Sequence, residues 1–149
     1  MFTAFAGEPD ALRGAAVLTP HAGEFARAFG NPGQDRIAAV RAAARRTGAT
    51  VLLKGADTIV AAPDGKVAVN GSAPPWLATA GSGDVLAGLI AGLLAQGMPP
   101  WDAASAGAYL HGRAGVHAGQ GLVAEDLLKA ITAALVEATC APHLTRGRL

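Results

Sequence analysis

The chain has 149 residues, of which 51% are hydrophobic, 15% charged and 5% aromatic, and its formal net charge is +1. This length suits one domain with a core built mainly from Ala, Val, Leu and Ile, and the low net charge argues against a nucleic-acid-binding protein. The only cysteine, Cys140, excludes an internal disulfide and a cysteine-based zinc site, which fits a cytoplasmic protein.

The first half of the chain predicts two buried strands joined by a helix. The apolar residues 15–18, followed by Thr19-Pro20, are typical of a buried parallel strand. Asp35 can cap a helix that ends at Gly48 and carries Ile37, Val40 and Ala44 on one face. Residues 50–53 predict a second buried strand, broken by Lys54-Gly55.

The second half predicts a hairpin followed by three helices. Residues 58–62 and 66–70 flank the turn Pro63-Asp64-Gly65, which favours a hairpin. Prolines in the loop 71–79 predict irregular structure. Helices are expected over residues 84–96, about 100–117 and 125–137, with Gly88 and Gly92 giving the first a small face for close packing. The tail, residues 140–149, is expected to be frayed.

The element order predicts the fold class. Strand, helix, strand, hairpin and three helices indicate α/β architecture with two or three parallel strands. That number is too small for a complete doubly wound sheet.

The segment Ala80-Gly81-Ser82-Gly83-Asp84 leads directly into a predicted helix. Amides at a helix start lack internal partners and carry partial positive charge, and glycines allow several of them to converge on one anion. The segment is not a Walker A loop, because no Gly-Lys-Ser/Thr follows, and Leu86 occupies the third glycine position of the dinucleotide fingerprint. Asp84 is therefore either a simple helix cap or the base of a phosphoryl transfer.

Five segments together carry a family resemblance, which spans residues 3–135. The glycine-rich segment, continued through Gly97, is similar to the anion-hole motif of ribokinase-like enzymes and resembles the NAD(P)H-hydrate dehydratases. Residues 18–27 resemble their Thr-Pro-His-Pro-Gly-Glu motif, with Ala22 replacing proline. Residues 53–58 resemble their Lys-Gly-x-x-Thr nucleotide loop, and residues 109–112 and 121–127 resemble their C-terminal helices.

The resemblance implies a fold and a reaction. Residues 1–139 would form the C-terminal half of a ribokinase-like three-layer α/β/α domain whose N-terminal half is absent from the chain. The implied enzyme is a carbon-oxygen lyase that repairs NADHX or NADPHX, the hydrates of NADH and NADPH. ADP or ATP, with Mg²⁺, would phosphorylate the C6 hydroxyl of the hydrated nicotinamide before phosphate leaves.

The resemblance also implies a role for each matching position. Asp84 would activate the C6 hydroxyl, and amides from Ala80, Gly81, Ser82 and Gly83 would hold the transferred phosphoryl group. The nucleotide would contact Lys54, Gly55, Ala56, Asp57, Thr58 and Gly83, with residues 74–83 around it. The hydrate would contact His21, Glu24, Arg27 and Asp84. No residue is assigned as a metal ligand, and the side chains of Asp57, His111, Trp76 and Trp101 are interpreted as structural.

Two other functions are compatible with the residues. Another ribokinase-like kinase, acting on hydroxymethylpyrimidine, hydroxyethylthiazole or a sugar, would keep residues 81–84. A non-catalytic, nucleotide-binding fragment is the second alternative. The low charge predicts a homo-oligomer, and the most apolar stretch, residues 85–95, is too short to cross a membrane. Because the hydrate pocket would lack its N-terminal wall, the isolated chain is expected to be a poor catalyst.

Overall fold

The computed structural model describes residues 7–140 as a mixed α/β structure. The strands are β1 Val17–Leu18, β2 Thr50–Leu53, β3 Thr58–Ala61 and β4 Val67–Asn70. The helices are α1 Ala22–Phe29, α2 Arg36–Thr47, α3 Ser82–Ala95, α4 Pro100–Ala118 and α5 Ala124–Cys140. Short 3₁₀ helices cover Pro9–Leu12 and Pro75–Leu77.

The four strands form one sheet in the order β1-β2-β3-β4. β1 is parallel to β2, with Val17 opposite Thr50 and Leu18 opposite Val51. β2, β3 and β4 are successively antiparallel. The prediction of a short parallel sheet extended by a hairpin is therefore confirmed.

Helices cover both faces of the sheet. Val51 and Leu53 of β2 pack with the α1 and α2 residues Phe25, Val40 and Ala44 on one face. Leu52 points to the opposite face and packs with the α3 and α4 residues Leu86, Ile90 and Ala104. Side chains alternate along a strand, so this all-apolar strand contributes to two cores at once. The predicted three-layer α/β/α class is confirmed.

Local sequence signals fix the ends of α2 as predicted. The Asp35 carboxylate accepts a hydrogen bond from the amide of Ala38. Gly48 adopts the left-handed conformation at φ 73° that commonly ends a helix.

Other boundaries differ from the sequence expectations. The loop 71–79 is not wholly irregular, because Pro75–Leu77 form a 3₁₀ helix; proline suits a first helical turn. α5 continues three residues past the expected end, so Cys140, predicted to be frayed, is helical. The rest of the predicted tail, residues 141–149, lies outside the described residues. No helix between residues 7 and 140 is long and apolar enough to span a membrane.

The glycine that allows α3 to pack closely against a neighbouring helix lies in α4, not in α3. A Cβ placed on Gly88 or Gly92 would meet no described atom within 4 Å, so the prediction of close packing at these two glycines is wrong. A Cβ on Gly107 of α4 would lie 2.6 Å from Cγ1 of Ile90, a core residue of α3. The approach of α3 to α4 therefore depends on Gly107.

Substitution by alanine should separate these two kinds of glycine. Gly92→Ala should raise the free energy of unfolding by about 0.4–1 kcal/mol, because it reduces chain entropy without a clash. Gly107→Ala should lower it, because overpacking a core typically costs about 1–3 kcal/mol. Urea titration of both variants measures the effects, and equal changes would contradict this account of the α3–α4 contact.

Candidate active site

A cavity of about 740 Å³ lies where the chain leaves β1 and β2. These strands are parallel, so the residues that follow them meet at the same edge of the sheet, the usual place for a ligand in α/β proteins. His21 follows β1 and Lys54 follows β2, and the Lys54 amide donates to the Pro20 carbonyl at 2.9 Å. The predicted site residues in the cavity wall are His21, Lys54, Gly55, Ala56, Thr58, Gly81, Ser82, Gly83 and Asp84.

His21 caps α1 and also lines the cavity. Its Nδ1 accepts hydrogen bonds from the amides of Gly23 and Glu24, at 3.0 and 3.2 Å. The Glu24 carboxylate returns the contact by accepting from the His21 amide at 2.8 Å. This reciprocal capping box fixes the ring, and Nε2, the nitrogen that makes no bond to the α1 amides, lies 3.6 Å from Oε2 of Glu24. The sequence analysis assigned His21 to contact with the hydrate and missed its capping role.

Lys54 spans the gap between α1 and the start of α3. A Cβ on Gly83 would lie 3.0 Å from the lysine Nζ, so the ammonium group lies directly against the glycine-rich segment. On the other side, Nζ is 3.9 Å from Oε2 of Glu24. The lysine side chain is 28% exposed, so its positive charge faces the cavity with partial access to solvent.

Gly81, not Asp84, is the N-cap residue of α3. Gly81 has φ 83°, a left-handed conformation that glycine adopts without strain. Its carbonyl accepts from the amide of Asp84 at 3.0 Å, which makes Asp84 a first-turn residue with an exposed side chain. The simple-cap reading of Asp84 is therefore wrong. Within the described residues, the amides of Gly81 and Gly83 donate to no backbone carbonyl, as an anion cradle requires.

Four predicted site residues lie outside the cavity wall. Arg27 is exposed near the end of α1, and Glu24 reaches the site only through His21 and Lys54. Ala80 precedes the lining residues of the α3 start. The Asp57 carboxylate lies next to Gly71 instead of in the cavity wall, with Oδ1 3.7 Å from a Cβ placed on that glycine.

His111 of α4 is a cavity residue that sequence reasoning assigned to a structural role. The residue is 7% exposed and lines the wall with Leu86 and Ala108. Burial lowers the pKa of His111 below its ordinary value of 6.5; hydrogen bonding with the Ser82 backbone opposes that shift, and the Lys54 charge adds to it. Its position in the Tyr109-Leu110-His111-Gly112 segment was the available signal, but a motif alone does not show which side of a helix faces a cavity.

The lowered pKa of His111 makes stability depend on pH. The unfolded state binds the proton more tightly, so stability present at neutral pH should be lost as pH falls below about 6.5. His111→Phe keeps an aromatic ring at this buried position and removes the titrating group. Urea unfolding at pH 7.5 and pH 5.5 should show a smaller loss of stability in the variant than in the native sequence. The same loss in both would contradict the assignment of this pH dependence to His111.

Comparisons with known proteins show which family this sequence and fold resemble. The NAD(P)H-hydrate dehydratase family matches residues 4–140. The chain is 55% identical over 102 residues to the ADP-dependent (S)-NAD(P)H-hydrate dehydratase of Neisseria meningitidis, which covers 66% of this chain and 34% of the relative. It is 52% identical over 116 residues to the bifunctional NAD(P)H-hydrate repair enzyme Nnr of Mycobacterium leprae. This match covers 75% of this chain and 24% of the relative.

A solved structure with the same fold is the ADP/ATP-dependent NAD(P)H-hydrate dehydratase of Bacillus subtilis, co-crystallised with ATP and Mg²⁺. It superposes with a TM-score of 0.73 at 31% identity, over 80% of this chain and 46% of the other. The chain thus spans less than half of that structure and about a quarter to a third of the two relatives.

Proposed function

The chain belongs to the NAD(P)H-hydrate dehydratase family, and we propose that it takes part in the ADP- or ATP-driven dehydration of (S)-NAD(P)H-hydrate. The observation that carries the proposal is the convergence of Lys54, the free amides of Gly81 and Gly83, and the Asp84 carboxylate on one cavity. A cation, an anion cradle and a base are the groups that a phosphoryl transfer needs.

The proposed chemistry proceeds in two steps. Asp84 takes the proton of the C6 hydroxyl while that oxygen bonds to the terminal phosphorus, and the bond to the leaving AMP or ADP breaks. Lys54 and the amides of Gly81 and Gly83 stabilise the charge on the phosphoryl oxygens. The C6–O bond then breaks with its electron pair on phosphate, and loss of the C5 proton to solvent restores the ring double bond.

The two sides of the cavity suggest where each substrate binds. Residues 54–58 and the loop before α3 form the proposed nucleotide side. His21, whose Nε2 makes no bond to the α1 amides and lies 3.6 Å from Oε2 of Glu24, and Asp84 form the proposed hydrate side. Glu24 and Arg27 would act from behind this wall, since neither lines the cavity.

Magnesium fits the site as a nucleotide-bound ion. Within residues 7–140, no group of three or more His, Cys, Asp or Glu side chains could hold a metal. Mg²⁺ commonly keeps several waters and is held largely by substrate phosphates, so here it would bind through the nucleotide. When bound, the ion neutralises phosphate charge.

We also propose that residues 1–139 form part of one domain with further strands beyond β1, acting as a cytoplasmic homo-oligomer. The position of β1 at the sheet edge supports the first part. Exposed apolar side chains support association, among them Val69, Leu128 and Val136, which are 54%, 60% and 56% exposed. The proposed pyridine nucleotide substrate supports the cytoplasmic location. Light scattering of the purified protein tests the oligomer.

The test of function is a direct assay. The protein, alone and mixed with the N-terminal portion of a relative, is given NADPH-hydrate with Mg²⁺ and either ADP or ATP. Return of the reduced-nicotinamide absorbance is the expected result, with greater activity in the mixture. Phosphorylation of a sugar or of hydroxymethylpyrimidine, with no action on the hydrate, would refute the proposal in favour of another kinase.

A further inference from the structure

Arg36 contacts the loop that follows β2, although the two are well separated in sequence. It is the first residue of α2, after the Asp35 cap, and it is half-buried. Its Nη2 donates a hydrogen bond to the backbone carbonyl of Asp57 at 3.1 Å. The guanidinium group thus holds a main-chain atom of the proposed nucleotide loop, residues 54–58.

Gly55 provides the space for this contact. A Cβ on Gly55 would lie 2.7 Å from Nη2 of Arg36 and 3.6 Å from its Cζ. Gly55 is not among the glycines with positive φ, so its backbone does not require glycine. The missing side chain is what allows the guanidinium group to approach the loop this closely.

The charge of Arg36 is not neutralised by a neighbouring side chain. Arg13, Arg46 and Arg113 each pair with a carboxylate. Within residues 7–140, no carboxylate lies within 4.0 Å of the Arg36 guanidinium. Among the described residues, the hydrogen-bond acceptor of this half-buried cation is a loop carbonyl, so Arg36 is placed to fix that loop, and Asp57 contributes through its backbone.

We propose that Arg36 is a positioning residue for nucleotide binding, holding residues 54–58 in the conformation that contacts ADP or ATP. The proposal rests on the nucleotide role given above to this loop. Arg36 does not line the cavity, so it acts through Gly55 and the Asp57 carbonyl. The competing interpretation is that the contact only ties α2 to the hairpin, in which case it would affect stability alone.

The test is calorimetric titration with ADP and with ATP, together with urea unfolding of each variant. Arg36→Met should weaken nucleotide binding about tenfold, since it removes the charge-assisted hydrogen bond that holds the Asp57 carbonyl. Arg36→Lys should recover part of the affinity. Arg45→Met, at an exposed arginine in the last turn of the same helix, is the matched control and should bind as the native sequence does.

A double-mutant cycle tests the geometry. Gly55→Ala should displace the guanidinium group and weaken binding by a similar factor, and adding Arg36→Met to it should cause little further loss. Unchanged nucleotide affinity in Arg36→Met, with only stability reduced, would overturn the proposal. Full additivity of the two variants' losses of nucleotide-binding free energy would also overturn it.

The outcomes also separate this inference from the proposed function. If Arg36→Met binds ADP more weakly but the native protein has no NAD(P)H-hydrate dehydratase activity, the proposed reaction is refuted and the role of Arg36 remains supported. A native sequence that binds neither nucleotide would overturn both.

Discussion

Asp84→Asn should abolish most of the dehydratase activity while leaving nucleotide affinity intact. The amide has nearly the same size but cannot take the proton of the C6 hydroxyl, and loss of a general base typically costs about 10²–10⁴-fold in rate. Nucleotide binding should be unchanged or tighter, because the variant removes a negative charge beside the phosphates. Initial rates in the hydrate assay and a parallel ADP titration measure the two effects.

Asp102→Asn is the matched control for this variant. Asp102 is also an exposed acidic residue in the first turn of a helix, α4, and it does not line the cavity. Both substitutions remove a favourable interaction with a helix dipole, which contributes about 0.3–1 kcal/mol at the surface. Equal, small effects of the two variants on turnover would leave Asp84 as a first-turn residue only.

Much of the fold follows from local sequence signals. The buried strand Thr50–Leu53, the Asp35 cap and the Gly48 stop each act within a few residues, so a single sequence is enough to predict them. Packing between helices is different. Gly92 and Gly107 are both helical glycines, and only the three-dimensional contact with Ile90 shows that Gly107 is the one against a neighbour.

The sequence predicted most of the residues that line the candidate site, but not the contacts between their side chains. The residues after β1, after β2 and before α3 were expected to converge, and the cavity contains most of them. The capping box of His21 and Glu24 depends on ring orientation, and the contact of Arg36 with the 54–58 loop joins segments 21 residues apart. Neither a spacing nor a motif encodes these side-chain directions.

The capping role of His21 changes how the hydrate side must be tested. His21→Ala would remove the cap of α1, which typically costs about 0.5–2 kcal/mol, and would mix instability with lost binding. His21→Asn keeps an acceptor for the Gly23 and Glu24 amides and removes Nε2 together with its 3.6 Å contact to Glu24. It is therefore the variant that separates a substrate contact from a structural one.

Lys54→Met should weaken ADP and ATP binding by about tenfold or more, since contacts of charged groups contribute about 1.5–3 kcal/mol. Methionine keeps the apolar stem that packs at the end of β2 and removes the ammonium group that lies against Gly83. Affinity for the hydrate should change less. Separate calorimetric titrations with nucleotide and with hydrate measure this division.

Two further variants locate the effect. Lys66→Met, at an exposed lysine paired with Asp64, is the control and should bind nucleotide normally. Gly83→Ala should reproduce part of the Lys54→Met loss, because its Cβ would lie 3.0 Å from Nζ and push the ammonium group off the α3 start. If Lys54→Met instead weakened the hydrate and spared the nucleotide, the division of the cavity into a nucleotide side and a hydrate side would be reversed. Phosphate charge would then have to be held by the Gly81 and Gly83 amides without the lysine.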